Sequence, residues 1–199
     1  MKQPTLKPSL WAPRPVEETV QIYTDWAQTY EADLVEKGYA TPQRIARALA
    51  QFLEPGGLVL DFGCGTGMSG LALQTMGLGP LHGCDITAAM VDLAKDKAIY
   101  DKLWVSTPGE PPQAGYAAIV ATGVISLGAA PPETYDLLLD ALDPGALFAL
   151  SFNDPTLQDG SYDARVRARA SDADVLFREH GPHLTGVDMG SDVLVLRRT

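Results

Sequence analysis

The chain has 199 residues, 46% of them apolar, 8% aromatic and 20% charged, a composition that suits one soluble domain able to bury its own core without disulfides. Fifteen Lys and Arg against 25 Asp and Glu give a net charge of -10, which repels a phosphate backbone and argues against nucleic acid as a partner. Apolar runs such as 146–152 fall far short of the roughly 20 residues a membrane helix needs, so no membrane association is expected.

The opening MKQPTLKPSLWAPRP carries Pro4, Pro8, Pro13 and Pro15 and no continuous apolar stretch. It reads as an irregular arm over 1–15 rather than a secretory signal, and a cytoplasmic location is expected. From 16 to 36 the larger apolar side chains fall at Val20, Tyr23, Trp26, Ala27, Tyr30 and Leu34, one stripe at helical spacing. A second helix opens at Thr41-Pro42, carries Ile45, Leu49 and Phe52, and stops at Glu54-Pro55-Gly56-Gly57. Short apolar runs then alternate with helical segments. Strands are predicted at 58–62, 81–84, 103–105, 117–121 and 146–152, with helices at 68–76, 87–97, 132–142 and 162–170. Such alternation means crossover units, hence an α/β fold with a mostly parallel sheet covered on both faces. The runs 175–177 and 193–196, joined by EHGPHLTGVDMGSD, are predicted to pair as an antiparallel hairpin at the sheet edge.

The first strand runs into a glycine loop, VLDFGCGTGMSG at 59–70. Glycines so dense belong where the main chain takes positive φ or lies against a ligand. Read as Gly65-x-Gly67-x-x-Gly70, with Asp85 twenty residues beyond Gly65, the loop satisfies the dinucleotide fingerprint. Read as Asp61-x-Gly63-x-Gly65-x-Gly67, it matches the first motif of class I S-adenosylmethionine (SAM) dependent methyltransferases. Asp85 suits either ligand, because both carry a ribose. Asp61 separates them, since an acid ahead of the glycines attracts an ammonium and repels a pyrophosphate. Two further features favour SAM: the chain has no room for a substrate domain, and its first strand follows a 57-residue helical lead. The two cysteines, Cys64 and Cys84, are predicted to be buried thiols, and no metal site is expected, since Gly181-Pro182 interrupts His180 and His183. Arg165, Arg167 and Arg169 in SYDARVRARA are read as a solvated helix surface.

The chain resembles class I methyltransferases, and within them it is most similar to the methyltransferase-like proteins named after the Williams-Beuren deletion region. The residues that carry this are YTDWAQTYEADL (23–34), GYATP (38–42), VLDFGCGTGMSG (59–70), HGCDITAAMVDLAKDKAIYDKL (82–103), ATGVISLGAAPPE (121–133) and LDPGALFALSF (142–152). The resemblance implies a Rossmann-like, seven-stranded sheet in order 3-2-1-4-5-7-6 with the last strand antiparallel, and an N-terminal helical lid. The implied organisation is a lid at 16–55 and a core at 56–199, together one domain. There are two departures. Tyr116 is followed by Ala117 where an aspartate is usual, and Thr122-Gly123-Val124-Ile125 replaces the Asn/Asp-Pro-Pro-aromatic tetrad of enzymes that methylate nucleobase or glutamine amino groups.

The expected cofactor set is Tyr23, Trp26, Tyr30, Asp61, Gly63, Cys64, Gly65, Gly67, Asp85, Ile86, Met90 and Thr122. In this reading the glycines pass under the aminoacyl arm, Asp61 holds the ammonium, and Asp85 accepts from the ribose diol. Ile86 and Met90 flank the adenine, ordinary core packing being equally open for both. Tyr23, Trp26 and Tyr30 close over the sulfonium or bury their helix, and Thr122 with Gly123 faces the transferring methyl. No catalytic residue is singled out; His180, Asn153 and Asp154 are all conceivable bases. A small-molecule acceptor and a monomer or homodimer are expected. The competing functions are an NAD(P)-dependent oxidoreductase and a SAM-binding protein without transferase activity.

Overall fold

A computed structural model describes residues 8–199; of the proline-rich arm, residues 1–7 lie outside the described residues, and Pro8–Trp11 forms a 3-10 turn. Two helices come first, α1 (Val16–Glu36) and α2 (Thr41–Leu49). Strands β1 (Val59–Phe62), β2 (Leu81–Asp85), β3 (Lys102–Val105), β4 (Ala118–Ala121), β5 (Leu147–Asn153), β6 (Ala173–Leu184) and β7 (Met189–Arg198) follow in chain order. Helices α3 (Met68–Thr75) and α4 (Ala88–Lys95) make the first two crossovers, α5 (Glu133–Asp140) the crossover into β5, and α6 (Asp154–Asp159) and α7 (Ser161–Ala168) lie between β5 and β6.

The sheet order is β3-β2-β1-β4-β5-β7-β6, with β7 antiparallel to both neighbours and every other pairing parallel. This is the class I methyltransferase arrangement that the resemblance implied. Its centre is dry because both faces are covered: β4 and β5 are buried at every position. Period-two alternation sorts their side chains. Phe148, Leu150 and Phe152 of β5 join Leu194 and Leu196 of β7 beneath Tyr135, Leu138 and Leu139 of α5. Leu147, Ala149, Val193 and Val195 face the other way, onto Ile45 and Leu49 of α2. Each such large side chain contributes about 1.5–3 kcal/mol on burial.

Helix α2 closes at Leu49, before Phe52, with Ala40 rather than Thr41 as its N-cap, and β7 runs ten residues rather than four; two further elements differ from the sequence expectation. Helix α6 is an additional turn, capped by Asn153, whose side chain accepts from the Thr156 amide at 3.1 Å. Strand β6 is twelve residues long rather than three, and most of the predicted linker is paired to β7. Gly181 and Pro182 fit there because β6 is an edge strand, which tolerates proline. A register shift between Pro182 and Leu184 bends the strand, so that His180 stays outside and His183 turns inward, to 7% exposure.

The arginines of α7 are not simply solvated. Arg165 pairs with Glu133 and Asp136, Arg167 with Asp163, and Arg169 with Asp136, Asp140 and Asp172. The pairs to Glu133, Asp136 and Asp140 tie α7 and its C-cap Arg169 to α5, and all three guanidinium charges are matched by carboxylates.

Candidate functional site

The parallel strands β1, β2 and β4 end at one rim, where the connections diverge and a ligand crevice is expected. A cavity of about 530 Å³ opens there. Its floor is Gly63 and Gly65 of the loop after β1, with Phe62. One wall is Asp85, Ile86, Thr87 and Met90 after β2; the opposite wall is Thr122, Gly123 and Val124 after β4. Helix α1 roofs it with Val16, Thr19, Tyr23 and Tyr30. The helix is held over the crevice by an ion pair from Glu31 to Lys97, in the turn after α4.

Gly65 shows why the loop is built from glycine. Its φ is +53° and a Cβ there would meet nothing within 4 Å, so its backbone faces open cavity and a side chain would fill the space a ligand needs. Its amide donates to Asp85 Oδ2 at 2.9 Å, while the Thr87 amide donates to Asp85 Oδ1 at 2.8 Å. Asp85 therefore holds the glycine loop as well as facing the cavity. Burial raises its pKa, although the two amides oppose that.

Asp61, at the end of β1, is wholly buried and lines neither this cavity nor the two smaller spaces beside it. Its Oδ2 accepts from Ser69 Oγ and Tyr100 Oη, both at 2.6 Å. Its Oδ1 has no partner, and neither do the buried hydroxyls of Thr66 and Thr122. Desolvation raises the Asp61 pKa from 3.8 to about 6, against the pull of Ser69 and Tyr100. Unpaired buried polar atoms are costly and rare in native structures. Here three of them surround one loop, beside a side cleft of about 30 Å³ lined by Tyr30, Tyr39, Gly63, Cys64, Gly65 and Thr122. The loop therefore has unused hydrogen-bonding capacity at that point.

A third chamber, of about 70 Å³, adjoins the others on the far side of β4. Trp11, Trp26, Leu34, Leu127 and Leu184 supply its apolar walls, and Tyr39, Asn153 and His183 its polar ones. Tyr30 lines all three spaces, which places its ring where they meet.

Of the twelve residues expected from sequence, Tyr23, Tyr30, Gly63, Gly65, Asp85, Ile86, Met90 and Thr122 line the main cavity. Cys64 lines the side cleft and is a buried thiol whose pKa burial drives up; Cys84 is likewise buried, its thiol pushed to about 12. Trp26 faces the third chamber instead, its indole N–H donating to Asp33 at 2.6 Å. Asp61 and Gly67 lie beneath the surface, Gly67 at the start of α3. Among the candidate bases, His180 is on the outer edge, paired with Asp192 at 2.9 Å. Asp154 accepts from the Gly190 amide at 2.7 Å. Sequence reasoning assigned no role to Tyr39 and considered His183 only as a metal ligand, yet both reach the chamber. Among the described residues no cluster of three or more His, Cys, Asp or Glu could hold a metal, and no helix is long and apolar enough to cross a membrane.

Comparison with known proteins agrees with this geometry. Residues 35–193 match the family model described as a methyltransferase domain. A human relative, methyltransferase-like protein 27, is 30% identical over 146 residues, covering 67% of this chain. The aligned part spans 57% of that relative's length. Among solved structures, magnesium protoporphyrin IX methyltransferase from Synechocystis PCC 6803, with bound S-adenosylhomocysteine, superposes with a TM-score of 0.65 at 19% identity, covering 91% of this chain and all of that one. The [4+2]-cyclase SpnF superposes with a TM-score of 0.64 at 14% identity, covering 94% and 98%. A fold shared by a methyltransferase and a cyclase does not by itself fix the reaction.

Proposed function

As the chain belongs to the methyltransferase-domain family, we propose that it binds SAM in the rim crevice and serves transfer of its methyl group to a small-molecule acceptor. The observation that carries this reading is the set of orphaned atoms around the glycine loop. Asp61 Oδ1, with Thr66 and Thr122 nearby, suits an ammonium with no phosphate beside it, as in the aminoacyl arm of SAM. Asp85, lining the main cavity, offers its remaining lone pairs to a ribose diol. Ile86 and Met90 provide an apolar slot for adenine, and Gly65 leaves the room.

SAM when bound supplies a methyl on a sulfonium, already activated for displacement. The task left to the chain is to orient, enclose and keep water out. Tyr23 and Tyr30, held over the crevice by α1, supply aromatic faces toward a cation, and burial raises the pKa of both hydroxyls so that they remain uncharged donors. In this reading residues 16–55 act as the lid, 56–199 as the core of the same domain, and Trp26 and Cys64 support the site from behind. The finer resemblance to the Williams-Beuren-region proteins belongs to the same proposal, as do a cytoplasmic setting and a monomeric or homodimeric state.

A thermal-shift comparison tests the cofactor. S-adenosylhomocysteine and SAM are expected to raise the unfolding midpoint while NADH does not, since only a ligand of the native state stabilises it; the reverse pattern would make the protein a dinucleotide enzyme. Transfer is tested separately, by incubating methyl-labelled SAM with a metabolite extract and seeking a labelled product by mass spectrometry. Recovery of intact SAM alone would leave a binding protein.

Asp85→Ala is expected to weaken S-adenosylhomocysteine binding more than tenfold by calorimetry, through loss of charge-assisted bonds worth about 1.5–3 kcal/mol. The same change frees the Gly65 and Thr87 amides, so it should also raise hydrogen exchange at the loop, with the far-UV spectrum unchanged. Undiminished affinity would remove the ribose assignment.

A further inference from the structure

The chamber beyond β4 has a polarity that can be read from its hydrogen bonds. Arg44 Nη1 donates to Ser191 Oγ at 3.0 Å. Ser191 Oγ lies 3.2 Å from Thr41 Oγ1, which in turn lies 2.7 Å from His183 Nδ1. Ser191 and Thr41 are both wholly buried, so each hydroxyl proton must find an acceptor within this chain. Arginine can only donate. If the Ser191 proton goes to Thr41 and the Thr41 proton to Nδ1, every hydroxyl is satisfied. Run the other way, from Nδ1–H through Thr41 to Ser191, the Ser191 proton has no acceptor among the described residues. His183 is thereby fixed as the tautomer that carries hydrogen on Nε2. Burial lowers its pKa to about 4, Asp154 opposing and Arg44 assisting by a smaller amount, so the ring is neutral at physiological pH.

The other polar groups of the chamber point the same way. Asn153 Oδ1 accepts twice, from the Thr156 amide at 3.1 Å and from Thr156 Oγ1 at 2.6 Å, which identifies that atom as oxygen and leaves the amide NH₂ to donate. The Tyr39 ring packs edge-on against His183; its hydroxyl has no hydrogen-bond partner among the described residues and burial raises its pKa, so it keeps a proton free to donate. The Ser126 hydroxyl is already given to the Gly123 carbonyl at 3.2 Å. No carboxylate lines the chamber. The acids around it are engaged: Asp33 by the Trp26 indole and Thr29, Asp154 by the Gly190 amide, and Asp61 by Ser69 and Tyr100. Three donors between apolar walls make a seat for an anionic oxygen. At about 70 Å³ the chamber has room for a headgroup of a few atoms, with the rest of the molecule extending past Tyr23, Tyr30 and Gly123 into the main cavity.

We propose that this chamber holds a carboxylate of the acceptor molecule, bound by Nε2–H of His183 together with the Asn153 amide and the Tyr39 hydroxyl. The word acceptor rests on the SAM reading of the adjoining cavity; the carboxylate seat rests on the hydrogen-bond directions alone. A primary ammonium is disfavoured at this end, since it would meet donors.

The test uses the full chain, with and without S-adenosylhomocysteine, and benzoate, benzyl alcohol and benzylamine as probes. Benzoate is expected to bind at least tenfold more tightly than the other two. His183→Leu should abolish that preference with S-adenosylhomocysteine affinity unchanged, and His183→Gln, which keeps an N–H at the end of the side chain, should retain most of it. Independently of any variant, ¹⁵N spectra of histidine-labelled protein at neutral pH should show His183 protonated on Nε2. An Nδ1–H tautomer, equal binding of benzoate and benzyl alcohol, or a preference for benzylamine would overturn the proposal. Benzoate selectivity without S-adenosylhomocysteine binding would remove the cofactor reading and leave the seat; the converse would remove the seat and leave the cofactor.

Discussion

Asp61→Asn is expected to make the ligand-free protein more stable at pH 7.5 and to make it bind S-adenosylhomocysteine about tenfold less tightly. The Asp61 carboxylate is wholly buried, and its pKa is raised from 3.8 in the free chain to about 6 in the fold. The folded state therefore holds the proton more tightly than the unfolded one. Whatever stability this group contributes is present below pH 4 and is lost as pH rises toward 6 and beyond. Above pH 6 the cost of keeping it ionised is on the order of 3 kcal/mol. Asparagine removes that cost while still placing an oxygen where Ser69 and Tyr100 donate, and gives back part of the gain, about 1 kcal/mol or more, because its NH₂ replaces an Oδ1 that has no partner. For a chain of this length the midpoint should rise by roughly 2–4 °C per kcal/mol recovered. Binding moves oppositely, because the ligand ammonium loses its counter-charge. Wild-type affinity should also fall as pH drops below 6, as Asp61 takes up a proton, and the variant should lack that dependence. A variant less stable than wild type, or with unchanged affinity and pH profile, would show that the buried charge is not held in reserve for a cation.

The alternation of apolar runs and helical stripes was enough to predict the α/β class, and the resemblance supplied the strand order; the physical reason is that central parallel strands are buried on both faces and so appear as unbroken apolar runs. The edge was harder. Strand β6 contains Arg178, Glu179, His180, Gly181 and Pro182, a series that carries no strand propensity and pairs only because β7 offers it a ladder. Helix α6 did leave a signal, Asn153-Asp154-Pro155, an N-cap followed by proline in the first turn, but six residues are too few to show a helical stripe. At the site, the glycine loop and Asp85 were legible because they lie on consecutive crossover turns. The chamber was not: the sequence offers Asn153 only as one of three conceivable bases, His183 only as a metal ligand and no role for Tyr39, because they come from three distant segments and meet only after α2 packs on β7 and the bulge in β6 turns His183 inward. Trp26 and Tyr30 show the limit of a stripe, since of two side chains on one helical face only Tyr30 reaches the main cavity while both line the chamber beyond β4.

Gly70→Ala is expected to destabilise the protein by about 3 kcal/mol, although the same change in an exposed helix stabilises by up to about 1 kcal/mol. The reason is Tyr100, which leaves the turn between α4 and β3 and lies against Gly70 and Gly83 to reach the floor of the site. A Cβ on Gly70 would come within 2.2 Å of the Tyr100 hydroxyl and 2.5 Å of its ring, and one on Gly83 within 2.9 Å of the same ring. The tyrosine must withdraw. Overpacking of this kind costs about 1–3 kcal/mol, and the withdrawn hydroxyl leaves Asp61 short of one of its side-chain donors, for about 1–3 kcal/mol more. Gly70 thus serves not a pyrophosphate but the passage of one side chain to the acid beneath the glycine loop. Tyr100→Leu should cost stability alone yet recover part of the loss when combined with Gly70→Ala, a less than additive pair in denaturant titrations. If Gly70→Ala were as stable as wild type, or the two losses simply added, the fourth glycine would owe its place to something other than Tyr100, and the support of Asp61 from below would have to be sought elsewhere.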